Sequence, residues 1–269
     1  MTFGEKLRAA WASSGSMLCV GLDPDPDRLP AALAGAPDAI ERFCCAIVDA
    51  TADLVCAYKP QVAHFSAQRA EAALEAVCSH IKGHYPHIPI LLDAKRGDIG
   101  STAEFYAREV FERYGADAAT YNPYLGTDAA APLLARGAVF AVCRTSNPGS
   151  AELQDLDAGG RPLYERVAEM VAARWSELGE CGLVVGATFP AQLRSVRELA
   201  GDLPILVPGV GAQGGDVIAA VAAGRTANDT GLLLSSSREI LYASPGDDFA
   251  AAARVAAQRT AHAISTALP

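Results

Sequence analysis

Two aspartates and a lysine in ILLDAKRGDIGST, residues 90–102, are the first candidates for chemistry. An apolar run ends in Asp93 and Lys95, and Asp98 follows three residues after the lysine. On an extended strand residues two apart share a face, so Asp93 and Lys95 are expected side by side where the strand ends. Lys59 closes an earlier run, LVCAYKPQ (54–61), and consecutive parallel strands usually pair, which brings its ammonium toward the same carboxylates. Asp98 falls in a turn loosened by Gly97 and Gly100. The four residues form a candidate row of alternating sign.

Alternation matters because a lysine among carboxylates is held protonated and an aspartate among lysines is held ionised. A Schiff-base lysine must become neutral to attack a carbonyl, and flanking acids oppose that. A permanent ammonium instead suits proton donation or stabilisation of a developing carbanion. The competing reading is a structural ion-pair network, which perturbs protonation in the same way. Four charges at strand ends favour a functional row over a lone structural pair. Arg96-Gly97-Asp98 spells the cell-adhesion tripeptide, which is read here as coincidence.

A second candidate lies in PGVGAQGGD (208–216), between an apolar run and the helical stretch DVIAAVAAG. Gly209, Gly211 and Gly214 fit G-x-G-x-x-G, but a dinucleotide fold places that fingerprint after its first strand, and here only one strand remains. Glycine N–H groups, a helix N-terminus, Gln213 and the forked donor of Arg238 suit a phosphate instead. A plain glycine turn is the bland alternative.

Eight short β-rich runs must position these groups: 17–23, 54–61, 88–95, 118–122, 139–146, 182–188, 204–211 and 230–238. They are continuous rather than alternating, as strands covered on both faces are, and the intervals leave room for one crossover helix each. Polar residues gather at their ends: Asp23, Lys59, Asp93, Lys95, Asn122, Ser146 and Arg238. In a closed (β/α)₈ barrel these ends meet at one mouth, where barrel active sites lie, whereas an open doubly wound sheet would spread them. The expected organisation is one α/β barrel domain over 1–269, with an amphipathic helix at 1–15 carrying Phe3, Leu7 and Trp11, and a C-terminal helix at 247–269.

The net charge of −9 argues against general nucleic-acid or anionic-membrane binding. An anionic small substrate would need locally placed Arg or Lys. No apolar run reaches the roughly 18–20 residues of a membrane span, and residues 1–23 do not read as a signal peptide. Seven scattered cysteines without a C-x-x-C pair read as reduced thiols, so a cytoplasmic location is expected. His80, His84 and His87 resemble a metal cluster, but Gly83 and Pro86 are expected to break the helix that would align them and leave a solvated loop.

The blocks DAKRGDIGSTA, GLDPDPDRLP, YKPQ, CRTSNPGS, PGVGAQGGD and SSSREILYA together resemble the longer bacterial type of orotidine 5′-phosphate decarboxylase, from Val20 to Ser244. The resemblance implies a TIM barrel that converts orotidine 5′-phosphate to uridine 5′-phosphate with neither cofactor nor metal. It implies Lys95 as proton donor to C6, Asp93 set against the departing carboxylate, and Lys59 and Asp98 completing the row. Asp23 resembles the ribose ligand, Ser146 the pyrimidine contact, and Gln213 and Arg238 the phosphate grip. It further implies a homodimer in which Asp98, Ile99 and Thr102 reach the partner's site. The stretch VAHFSAQ after YKPQ departs from the pattern and leaves the packing of His64 open.

Two rivals remain: a sugar-phosphate decarboxylase using the acidic block to hold Mg²⁺, which Lys59 and Ser146 disfavour, and a phosphate-ligand barrel without turnover, which does not need the charged row.

Overall fold

The computed structural model describes residues 1–210 and 216–268. Among them eight parallel strands run as β1 (Leu18–Leu22), β2 (Ala57–Pro60), β3 (Leu91–Arg96), β4 (Ala118–Tyr121), β5 (Ala138–Arg144), β6 (Cys181–Val185), β7 (Ile205–Pro208) and β8 (Leu232–Ser236). Their order is β2-β1-β8-β7-β6-β5-β4-β3. Parallel bridges Tyr58–Ile90 and Gln61–Asp93 join the two end strands and close the barrel. Each expected run holds one strand. Seven of the runs extend past the end of their strand, and Asp23, Ser146 and Arg238 lie just beyond it, whereas Lys59, Asp93 and Lys95 lie within β2 and β3.

The strands β1, β2, β4, β6 and β8 are buried along their whole length, which explains their continuous apolar pattern. Helices Ala39–Thr51, Glu71–His84, Gly100–Arg108, Thr127–Leu134, Leu163–Met170, Pro190–Ala200, Val217–Gly224 and Phe249–Thr266 follow the strands in turn. The main core lies between this helical ring and the strands. No described helix is long and apolar enough to cross a membrane.

The N-terminal helix, Phe3–Ser14, closes the end of the barrel opposite the charged strand ends. Thr2 and Glu5 form a reciprocal capping box. The Glu180 carboxylate also accepts from the N–H groups of Phe3 at 2.8 Å and Gly4 at 2.9 Å, which pins the helix beneath the start of β6. Phe3 and Leu7 pack with Leu91, Phe140, Val184 and Leu206 in a second core cluster. Burying two such side chains contributes about 1.5–3 kcal/mol each.

The histidine expectation is corrected here. The helix Glu71–His84 runs through Gly83, so His80 and His84 are helical and their rings lie 4.3 Å apart. A glycine near a helix C-terminus costs too little to stop a helix whose Leu74, Val77 and Ile81 are buried. His80 Nε2 meets the Asp49 carboxylate at 2.6 Å.

Candidate active site

Asp93 is the hub of the charged strand ends. Its Oδ1 lies 2.6 Å from Lys95 Nζ, and its Oδ2 lies 3.1 Å from Lys59 Nζ. Lys59 Nζ is also 3.8 Å from Asp23 Oδ1. The Thr120 hydroxyl donates to Asp93 Oδ1 at 2.8 Å and accepts the Lys95 N–H at 3.0 Å. With its amide nitrogen turned to Asp93, Gln61 donates to Oδ2 at 3.0 Å and to the Asp93 carbonyl.

The side chains of Lys59 and Asp93 are 5% and 9% exposed, whereas that of Lys95 is 47% exposed. Lys59 is therefore sealed in and Lys95 faces the open mouth. Burial pushes the Asp93 carboxyl up, but Lys59 and Lys95 outweigh it and hold the group well below the ordinary carboxylate range. Burial likewise pulls Lys59 down, and the Asp23 and Asp93 carboxylates reverse this and hold it above the ordinary lysine value.

Simple strand alternation does not aim Lys95. Its φ is +45°, in the left-handed region that non-glycine residues rarely occupy. The register slips at the same place: Leu92 pairs with Ala119 and Arg96 with Tyr121, so four steps of β3 match two of β4. This bulge folds Lys95 back over Asp93 at the mouth, as bulges beside active sites commonly do.

A cavity of about 210 Å³ opens at this point, lined by Asp23, Lys59, Asp93, Lys95, Gly209 and Arg238 among others. A larger cavity of about 430 Å³ elsewhere, between Tyr124, Leu153 and Tyr164, contains none of the row residues, so volume alone does not mark the chemistry. Asp23 Oδ1 is buried without a hydrogen-bond partner among the described residues, leaving an acceptor for a ligand hydroxyl. His64 Nδ1 meets the Pro24 carbonyl at 3.2 Å, so the departure after YKPQ helps hold the loop that follows Asp23.

Asp98 does not join the row within its own chain. Its carboxylate accepts the Ile99 N–H at 2.8 Å and forms no ion pair among the described residues. Ile99 is 60% exposed and Thr102 is exposed on the next helical turn. Ser146 follows β5 and packs on Gly186 after β6, where an added Cβ would lie 3.0 Å from the Ser146 Cβ. Gly209 has φ +89° and lines the cavity with Arg238. Gly211, Gln213 and Gly214 lie outside the described residues.

The anticipated helix N-terminus is already occupied. Asp216 caps Val217–Gly224 by accepting from Ile218 N at 2.8 Å and Ala219 N at 3.2 Å, which places a carboxylate where a phosphate would dock. Of the described residues on this side, Arg238 and Gly209 line the cavity. Thr120 and Gln61 were missed by sequence reasoning. The signal for each was a polar residue at or near the end of a strand run, in AATYN and YKPQ.

A closed parallel barrel with a lysine–aspartate hub beside an arginine-lined cavity at the strand ends defines a (β/α)₈-barrel enzyme. Comparison with known proteins makes the class specific. The profile described as "Orotidine 5′-phosphate decarboxylase / HUMPS family" matches residues 16–255, and the chain belongs to that family. It is 62% identical to the orotidine 5′-phosphate decarboxylase of Azoarcus sp. (strain BH72), covering 98% of this chain and 99% of the relative. Identity to the Dechloromonas aromatica (strain RCB) protein of the same name is 60%, over 98% of this chain and 99% of that one. The solved Leishmania donovani OMP decarboxylase superposes with a TM-score of 0.86 at 38% identity, covering 99% of this chain and 98% of that chain.

Proposed function

We propose that this chain decarboxylates orotidine 5′-phosphate to uridine 5′-phosphate in pyrimidine nucleotide synthesis, using its own side chains and neither cofactor nor metal. The observation that carries this reading is one buried carboxylate, Asp93, held between two ammonium groups at 2.6 and 3.1 Å.

Breaking the C6–carboxyl bond releases CO₂ and leaves its electron pair on C6, with no imine to absorb the charge. A preorganised cation must supply the stabilisation. Lys95 is that cation: it faces the cavity, and its proton passes to C6, after which solvent reprotonates the amine. Asp93 lies against the substrate carboxylate, and Lys59, sealed between Asp23 and Asp93, helps keep Asp93 ionised. Asp23 takes a ribose hydroxyl, Ser146 the pyrimidine, and Gln213 and Arg238 the phosphate. Binding energy from the distant phosphate is available to offset the cost of bringing two carboxylates together.

The exposed Ile99 and Thr102, beside a half-buried Asp98 with no ion pair among the described residues, support a homodimer in which each chain completes its partner's charged row. A cytoplasmic enzyme acting as one barrel domain fits the same reading. The test is ultraviolet monitoring of orotidine 5′-phosphate with EDTA-treated protein. Undiminished turnover is expected. Loss that added Mg²⁺ restores would favour a metal-dependent sugar-phosphate decarboxylase instead.

A further inference from the structure

The loop leaving β5 is wound around one buried cation. Arg144, the last residue of β5, is 3% exposed. Its Nη1 donates to the Thr145 carbonyl at 2.9 Å, to the Ser150 hydroxyl and to Gln154 Oε1 at 3.2 Å. Its Nη2 donates to Asp155 Oδ2 at 3.1 Å, and the guanidinium carbon lies 4.2 Å from the centre of the Phe189 ring. Gln154 Oε1 also accepts the Thr145 N–H at 2.8 Å, while its amide nitrogen donates to the Thr145 hydroxyl at 2.8 Å. That hydroxyl in turn donates to Asn147 Oδ1 at 2.7 Å.

Ser146 sits between Thr145 and Asn147, so both its neighbours are fixed by this network. Its backbone is pressed against Gly186, whose N–H donates to the Arg144 carbonyl at 2.8 Å. We propose that Arg144 is a positioning residue for recognition of the pyrimidine ring: it holds the loop so that Ser146 presents itself to the base. The inference rests on the decarboxylase reading and on Ser146 as the base contact.

Stability alone is a weak reason for this arrangement. A buried cation pays a desolvation cost that an apolar side chain of similar size avoids. Among the described residues its only carboxylate partner, Asp155, is 39% exposed, and Arg144 Nε has no hydrogen-bond partner. What the guanidinium supplies is geometry, because its planar fork fixes several acceptors on one loop at once.

The test separates the base from the ribose phosphate. Turnover of orotidine 5′-phosphate and inhibition by uridine 5′-phosphate and ribose 5-phosphate are measured for wild type, Arg144→Met, Ser146→Ala and the double variant. Arg144→Met should raise KM and weaken uridine 5′-phosphate about 10- to 100-fold, as expected for a misplaced recognition group. Ribose 5-phosphate should be unaffected within about twofold, and the double variant should be no worse than Ser146→Ala, because the two act as one unit. Equal weakening of both ligands, or fully additive losses, would overturn the inference. If Arg144→Met does not fold, Gln154→Ala decides: a smaller but base-selective loss supports the proposal, and a neutral or unselective effect refutes it. A wild-type protein that leaves orotidine 5′-phosphate untouched removes the decarboxylase reading as well, whereas active wild type with unselective variants removes only this inference.

Discussion

Replacing Lys59 with Met takes away one of the two cations on Asp93 while keeping an unbranched stem. The native ammonium lies 3.1 Å from Asp93 and 3.8 Å from Asp23, and the Lys59 and Asp93 side chains are 5% and 9% exposed, so solvent screens the pair little. Removing one partner of a buried pair costs about 3–5 kcal/mol, because the other charge stays buried. Lys95 would remain, but its side chain is 47% exposed and its attraction is the more screened of the two. The pH dependence follows from the shift of Asp93. A carboxyl whose folded pKa lies below its unfolded value, about 3.9, contributes stability above that value and loses it as pH falls toward the folded one. Lys59 is raised in the fold, so its own contribution is fully present below its unfolded pKa, about 10.4, and is lost only as pH rises through the folded value. In the variant Asp93 loses one of its two lowering cations, so the folded carboxyl takes up a proton more readily than it does in the wild type. The deficit of Lys59→Met should thus be greatest near neutrality and shrink below about pH 5. Urea midpoints at several pH values, with unchanged m, read this directly. A deficit under about 1 kcal/mol at neutral pH, or one that grows on acidification, would refute the reasoning.

Arg238→Ala should raise KM about 100-fold while leaving kcat within roughly tenfold, since the group holds phosphate far from C6; steady-state kinetics with and without added phosphite ion would check it. Mixing Asp98→Ala with Lys95→Ala protein, each inactive alone, should restore about a quarter of wild-type activity once subunits exchange, because half the dimers then carry one complete site. Recovery near zero would place Asp98 within its own chain's site.

The barrel was legible because most of the β-rich runs end in polar or charged residues that a buried strand does not otherwise tolerate, and four of these, Asp23, Lys59, Asp93 and Arg238, line one cavity. Asp93 and Lys95 were found for partly the wrong reason. Period-two alternation placed them together, whereas a left-handed residue and a register slip do so in the fold, and neither follows from residue types in a strand pattern. Thr120 was passed over because threonine is common in strands, and only tertiary pairing reveals that its hydroxyl bridges Asp93 and the Lys95 N–H. The glycine-rich stretch suggested a helix N-terminus open to anions, yet Asp216 in the same motif caps that helix. An aspartate just before a helix is a common capping signal, so this was readable from the sequence. The helical histidines were misread because local glycine and proline signals were set above the buried face of their helix.

The central claim is that the Lys95 ammonium stabilises and protonates the C6 carbanion. Its most direct test is single-turnover decarboxylation of saturating orotidine 5′-phosphate by Lys95→Ala beside wild type, with folding verified by matching melting curves. The account predicts a fall in rate of about 10⁴-fold or more, since one group serves as both electrostatic stabiliser and proton donor. A folded variant that keeps its rate within about tenfold would contradict it.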